Sequence, residues 1–208
     1  MAEKPAFWVL HGEILTWKQK GLGSPFGAGE SPAQQPAGSA AVQIVLCYNR
    51  AKNMDKQQLL ETWRINNRIN LYLLEAVPPE HLGDKMTSKG RSAGEQLAHI
   101  HSVRLMWLKV SMPEALEGLV KIEKEQAGDK ALLTAGLSAS GDAIASLLEY
   151  AADNGGKVKG FKPHVGGFLG YLIAHDAHHR SQAIIALKQN GHPLDKKVLY
   201  GIWEWGSR

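Results

Sequence analysis

The chain has 208 residues, 44% of them hydrophobic and 21% charged, the dimensions of one globular domain with some length to spare. Its formal net charge of +4 is not placed where a nucleic acid needs it: residues 1–53 hold five basic residues against three acidic, and no basic helix face stands out in the rest. The single cysteine, Cys47, excludes an intrachain disulfide and with it the disulfide-stapled secreted class.

No uninterrupted apolar run approaches the roughly 20 residues of a membrane span. Near the start, Lys4 precedes Phe7-Trp8-Val9-Leu10, but His11 and Glu13 interrupt the run before it becomes a signal peptide. A reducing, cytoplasmic location is therefore expected, with neither nucleic acid nor membrane as a partner.

From Gly21 to Ala40 the sequence is a Gly/Pro/Ser/Ala string, too poor in apolar side chains to offset the entropy of ordering it. Val42 to Tyr48 reads as a short strand or a helix turn without a visible partner. Residues 1–53 are thus expected to be a disordered extension, or a leader ahead of a translation start at Met54. Residues 54–208 form the domain.

Asp55 to Val77 reads as the first helix, with Leu59, Trp63, Leu71 and Leu74 apolar and Pro78-Pro79 as its stop. The second follows Ser92, whose spacing to Glu95 is that of a capping box, and runs to about Val110. Residues 111–130 make a long connection with one helical turn near Glu114 to Glu123. A third helix spans Lys130 to Asp153 and stops at Asn154-Gly155-Gly156. The fourth follows Pro163 and continues to Asn190, with Gly191 as its stop. Gly166, Gly167 and Gly170 weaken its first turns, which suits close helix contact or an irregular entry. The aromatic tail from Tyr200 to Trp205 is expected to dock on the helices. The fold class is all-α: a four-helix bundle with a long crossover between helices two and three, preceded by a flexible N-terminal extension.

The chemistry concentrates in the fourth helix. At about 100° per residue His175 and His179 lie roughly 40° apart, and Gln182 falls beside them. Phe168, Leu172 and Ala186 share the stripe, so the imidazoles occupy a face that a globular helix buries. An unpaired polar ring is costly there unless it is hydrogen-bonded or holds a metal. A pair at i, i+4 reaches a single ion at Zn–N distances of about 2.0–2.1 Å. His178 points away, as a solvent-facing or outer residue. A third ligand has to come from a facing helix. Helix two offers His99, which shares a face with Gln96, Val103, Met106 and Val110, and His101, nearly opposite beside Leu97, Arg104 and Leu108. Spacing does not choose between them.

The segments Ser92-Ala93-Gly94-Glu95-Gln96-Leu97-Ala98-His99-Ile100 and His175-Asp176-Ala177-His178-His179-Arg180-Ser181-Gln182, followed by Gly191-His192-Pro193, resemble the paired signatures of the DinB family of damage-inducible bacterial proteins. The resemblance runs from about Met54 to Arg208. It implies a four-helix bundle with one divalent transition metal, zinc or nickel first, on His99, His175 and His179. Gln182, Asp176 and His178 stand as the residues that support these ligands from behind. Ser181 departs from the glycine common at that position.

Three imidazoles leave coordination positions open, as in catalytic rather than structural sites. Relatives in the wider superfamily include transferases that use a low-molecular-weight thiol, so the resemblance implies a thiol S-transferase acting on a small electrophile. The other reading is a non-catalytic, stress-related metal-binding or regulatory module. A homodimer is expected in either case. A metalloprotease is disfavoured, since H-E-x-x-H needs a glutamate after the first histidine and Asp176 stands there.

Overall fold

The computed structural model describes residues 38–86 and 90–208, with side chains from Asp55 onward. The chain divides into Met1–Ala41, of which only the first helical residues fall in the described part, and Val42–Arg208, which holds the bundle. Of the extension expected over residues 1–53, residues 1–37 lie outside the described residues and residues 38–53 are helical.

Four long helices make the bundle: α1 (Gly38–Ala76), α2 (Ala93–Ser111), α3 (Lys130–Asp153) and α4 (Val165–Gln189), with a short α5 (Lys196–Gly201) behind them. Among the described residues there is no strand, only the isolated antiparallel bridges Lys85–Ser92 and Lys157–His164. The architecture is the all-α bundle that the periodicity implies. Its first helix starts well before the expected Asp55 and takes in Val42 to Tyr48, read above as a strand or a turn. The reason is visible in the sequence: between Gly38 and Ala76 there is no further glycine or proline to interrupt a helix, and Pro78 supplies the stop.

Each of the other long helices has a side-chain cap. Ser92 Oγ accepts from the Glu95 N–H at 3.2 Å while the Ser92 N–H donates to Glu95 Oε2, the capping box that the sequence shows. Asp129 Oδ1 accepts from the Leu132 N–H at 3.0 Å to open α3. His164 Nδ1 accepts from the Gly167 N–H at 3.1 Å to open α4. This cap accounts for two of the α4 glycines: a Cβ on Gly166 would lie 3.2 Å from the His164 ring, and one on Gly167 3.0 Å from Pro163. Gly170 has open space around it, so no close helix contact requires it.

The crossover between α2 and α3 is long, as expected, but its helical content is two 3-10 turns, Pro113–Leu116 and Lys124–Gln126, rather than one turn over 114–123. Although no uninterrupted apolar run is long enough to span a bilayer, α3 has the length and composition to do so, with a mean hydropathy of 1.4 over its most apolar window. Leu133, Leu137, Ile144, Leu147 and Leu148 of that helix are buried in the core. The C-terminal tail docks on α1 through Arg208, whose guanidinium sits 3.7 Å over the Tyr72 ring and whose carbonyl accepts from Arg68. Tyr200 and Trp203 remain exposed.

The core is in two apolar parts. One gathers Leu74, Leu82, Leu97, Ile100, Leu133 and Leu187, the other Trp63, Leu108, Ile144, Leu148, Phe168 and Leu172. Buried polar residues, Asn66, Asn67, Asn70, Arg104, Ser140, Asp176 and Arg180, come from all four helices. Buried groups of this kind are tolerated when they satisfy one another, and here they hydrogen-bond together next to the histidines, with only Arg104 Nε and Asp176 Oδ1 among their buried side-chain atoms left without a partner among the described residues.

Candidate metal centre

His99 of α2 and His175 and His179 of α4 converge. Their ring centroids are 5.5 Å (His99–His175), 4.6 Å (His99–His179) and 4.5 Å (His175–His179) apart. One nitrogen from each lies within 4.8 Å of the others, a group that could hold a metal ion. A tetrahedral ion at about 2.0–2.1 Å holds its ligand nitrogens about 3.4 Å apart, so modest ring rotations close the set. The site is less deep than the sequence suggests. His179 is buried, but His99 and His175 are half-buried, because the fully buried face of α2 is the opposite one, carrying Leu97, His101, Arg104 and Leu108.

His101, the alternative left open by spacing, is turned away from the group. Its Nε2 lies 2.9 Å from the Val120 carbonyl, so it ties the crossover to α2. Burial lowers its pKa, and the Val120 carbonyl opposes that shift.

The His179 ring is fixed by a residue that the sequence reading did not single out for this role. Gln96 Oε1 lies 2.7 Å from His179 Nδ1, so the Nδ1–H donates to the amide and Nε2 keeps its lone pair for an ion. Gln96 Nε2 donates in turn to Gln182 Oε1 at 2.6 Å, and Gln182 Nε2 lies 2.6 Å from His178 Nε2. Gln182 and the exposed His178 therefore stand one and two hydrogen bonds behind Gln96 rather than in direct contact with a ligand ring through these bonds. Gln96 carried a signal all the same: it shares the His99 face one turn earlier, which is where a facing-helix partner for His179 has to be.

Asp176 is fully buried and serves α4 from its inner side. Its Oδ2 accepts from Asn66 Nδ2 (2.8 Å), Asn70 Nδ2 (2.9 Å) and the Arg104 guanidinium (2.8 Å). Its Oδ1 is 3.6 Å from His175 Nδ1, too long for a hydrogen bond, and neither atom has another partner among the described residues. Burial pushes the Asp176 pKa up, but Arg104, His175 and Asn70 outweigh it and hold the carboxyl at about 2. Arg104 also donates to Asn67 Oδ1 and to the Leu137 carbonyl, and Arg180 donates to Asn66 Oδ1 and Asn70 Oδ1. The network fixes the inner side of α4 on either flank of His175 and His179. Asn66, Asn70 and Arg104 escaped the sequence reading because asparagine and arginine on a helix are ordinarily solvated.

Two of the three rings, His99 and His179, are pushed toward the neutral form. Burial first, then His175, His99, His178 and Arg91, lowers His179 to about 3. Burial, Arg91 and His175 lower His99. Neutral imidazoles are the state a divalent ion requires. A cleft of about 300 Å³ opens beside His99, bordered by Arg91, Ser102, Lys121, Ile122 and Lys124, and it does not reach His175 or His179. Lys121 pairs with Glu123 and Lys124 with Glu95, whereas Arg91 has no hydrogen-bond or ion-pair partner among the described residues.

A sequence model of the DinB family matches residues 49–196, well over half of the chain. The chain belongs to the DinB family. Comparison with curated proteins and with solved structures gave no match. The match covers α2 to α4 and the part of α1 that carries Trp63, Asn66 and Asn70, so the histidines and the buried network both lie inside the DinB region. Ser181, where the family resemblance suggested glycine, is exposed and places its extra atoms outside the core.

Proposed function

We propose that this DinB protein holds one divalent transition metal, zinc or nickel, on His99, His175 and His179 and uses it to transfer a low-molecular-weight thiol to a small electrophile. The observation that carries the reading is the Gln96–His179 hydrogen bond beside the three converging rings: it commits one ring nitrogen to the protein and leaves the other with a lone pair for an ion. The three donors suit such an ion in kind and number, and leave room in its coordination shell. Bound there, the ion supplies Lewis acidity that favours the thiolate form of a thiol at neutral pH.

The chain's residues bind and orient. The cleft beside His99 admits a small molecule, and Arg91 at its border, which has no ion-pair partner among the described residues, suits a carboxylate on the thiol or on the electrophile. In the transfer the thiol proton leaves to solvent, a sulfur–carbon bond forms, and the bond from that carbon to its leaving group breaks with its electron pair. The proposed setting is cytoplasmic, with a small-molecule substrate and a homodimeric assembly.

The test loads the apoprotein with zinc or nickel and follows consumption of a thiol and a panel of alkyl and aryl halides and epoxides. Metal-dependent conjugation that disappears in His179→Ala supports the reading. Stoichiometric metal without turnover over the panel favours the non-catalytic stress-related module instead.

A further inference from the structure

We propose a second divalent-metal site at one end of the bundle, made by His81, Asp84 and His192, which staples the loop after α1 to the end of α4. The three residues offer two imidazole nitrogens and a carboxylate oxygen within 4.8 Å of one another. The His81 and His192 rings are stacked, with centroids 3.6 Å apart and planes at 16°, and His192 Nδ1 lies 2.7 Å from Asp84 Oδ2. Imidazole rings gain little from lying face to face, since aromatic pairs favour offset or edge contacts. Little is therefore lost when the exposed His192 ring tilts out of the stack, and ligation needs that tilt so that both in-plane lone pairs meet one ion.

The backbone already holds all three residues in place. His192 is the residue after the left-handed Gly191 (φ 83°): its N–H bonds to the Leu187 carbonyl at 3.0 Å and that of Gly191 to Lys188 at 3.3 Å, a complete Schellman ending followed by Pro193. The His81 N–H bonds to the Pro78 carbonyl and that of Asp84 to His81, in the turn begun by Pro78-Pro79. Asn190 Nδ2 donates to the Lys85 carbonyl at 2.6 Å and ties the two segments together. The entropy of bringing the three donors to one point is therefore met by the fold, the condition under which few ligands suffice. Two nitrogens and one oxygen suit zinc, cobalt, nickel or copper, and are too few oxygens for calcium. With His81 and Asp84 half-buried and His192 exposed, water completes the shell. The stapled loop continues to Gly90 and Arg91, which border the cleft at His99.

The experiment titrates zinc alone into the full-length apoprotein and into a His99→Ala/His175→Ala/His179→Ala variant, with and without His192→Ala, reading bound equivalents and thermal melting. The triple variant should keep about one equivalent and melt higher with zinc. Adding His192→Ala should abolish both, and Asp84→Asn should weaken zinc by about tenfold or more, in the range for a lost or weakened metal partner. If the triple variant folds poorly, the same comparison is made in the otherwise unchanged protein, where His192→Ala should remove about one equivalent while the three-histidine centre stays filled. Zinc stoichiometry and melting shift unaffected by His192→Ala would overturn the proposal, as would a folded triple variant that binds no zinc. Failure of the three-histidine centre leaves a different pattern: His99→Ala, His175→Ala and His179→Ala then change nothing, whether or not His192 matters.

Discussion

Gln96 Oε1 and His179 Nδ1, on facing helices, are 2.7 Å apart. One amide thus sets the tautomer of a histidine in the candidate metal centre and leaves its other nitrogen with a lone pair. Replacing Gln96 with leucine keeps the volume and removes the acceptor. Metal affinity should fall by about 10–100-fold with little loss of secondary structure, the usual cost of removing a partner behind a ligand. Gln96→Glu, which restores an acceptor, should recover most of it. Competition against a chromophoric chelator measures both, and an unchanged affinity in Gln96→Leu means that the amide does not orient the ring.

The Arg104–Asp176 pair is fully buried and separated by 2.8 Å. Removing one partner strands the other, at a cost of about 3–5 kcal/mol. Arg104→Met and Asp176→Asn should each lower the urea midpoint substantially, and the double variant should lose clearly less than the two combined. Additive losses would show that the two side chains act independently.

Acid should destabilise the metal-free protein in two overlapping windows. His179 is held at about 3 against an ordinary 6.5, so below 6.5 the unfolded chain takes up a proton that the native state refuses, and stability falls as pH drops toward 3. Asp176 is held at about 2 against 3.8, so its contribution is complete above 3.8 and is lost as pH falls through 2. Urea unfolding across pH 2 to 8 should show a continuous decline from neutrality. His179→Leu should flatten the upper part and Asp176→Asn the lower. A wild-type profile that is level between pH 6.5 and 4 contradicts the first assignment.

His99 and His101 are two residues apart and should behave as opposites. His99→Ala removes a member of the histidine group and should release the metal without unfolding the bundle. His101→Ala breaks the bond to the Val120 carbonyl, so it should retain metal and loosen the crossover, seen as faster amide exchange over residues 112–129. His178→Ala, at the exposed end of the hydrogen-bond chain, should retain most of the metal. Equal metal loss from all three variants would contradict the geometry.

The helices were legible in the sequence because their ends carry local chemistry. Asp129 and Asn154 flank α3 and the Ser92–Glu95 box opens α2, so both helices fall where the signals put them. The start of α1 was not legible: a gradual passage from a Gly/Pro-rich stretch into helix has no cap to mark it. The His175/His179 face followed from periodicity, but periodicity could not choose between His99 and His101. That choice depends on which side of α2 the bundle buries, and the buried side contains Arg104, which pattern reading assigns to solvent. Asp176 was singled out, but its partners Asn66, Asn70 and Arg104 were invisible for the same reason. Each member is unremarkable alone, and only the tertiary fold brings them together.

The most direct measurement is anomalous diffraction at the absorption edge of the metal carried by full-length protein purified without a histidine-rich tag. The account predicts a peak between α2 and α4 with nitrogens of His99, His175 and His179 each at about 2.0–2.2 Å and no contact to His101. Metal-containing crystals with no peak at those three rings, or a peak ligated by His101, would contradict it.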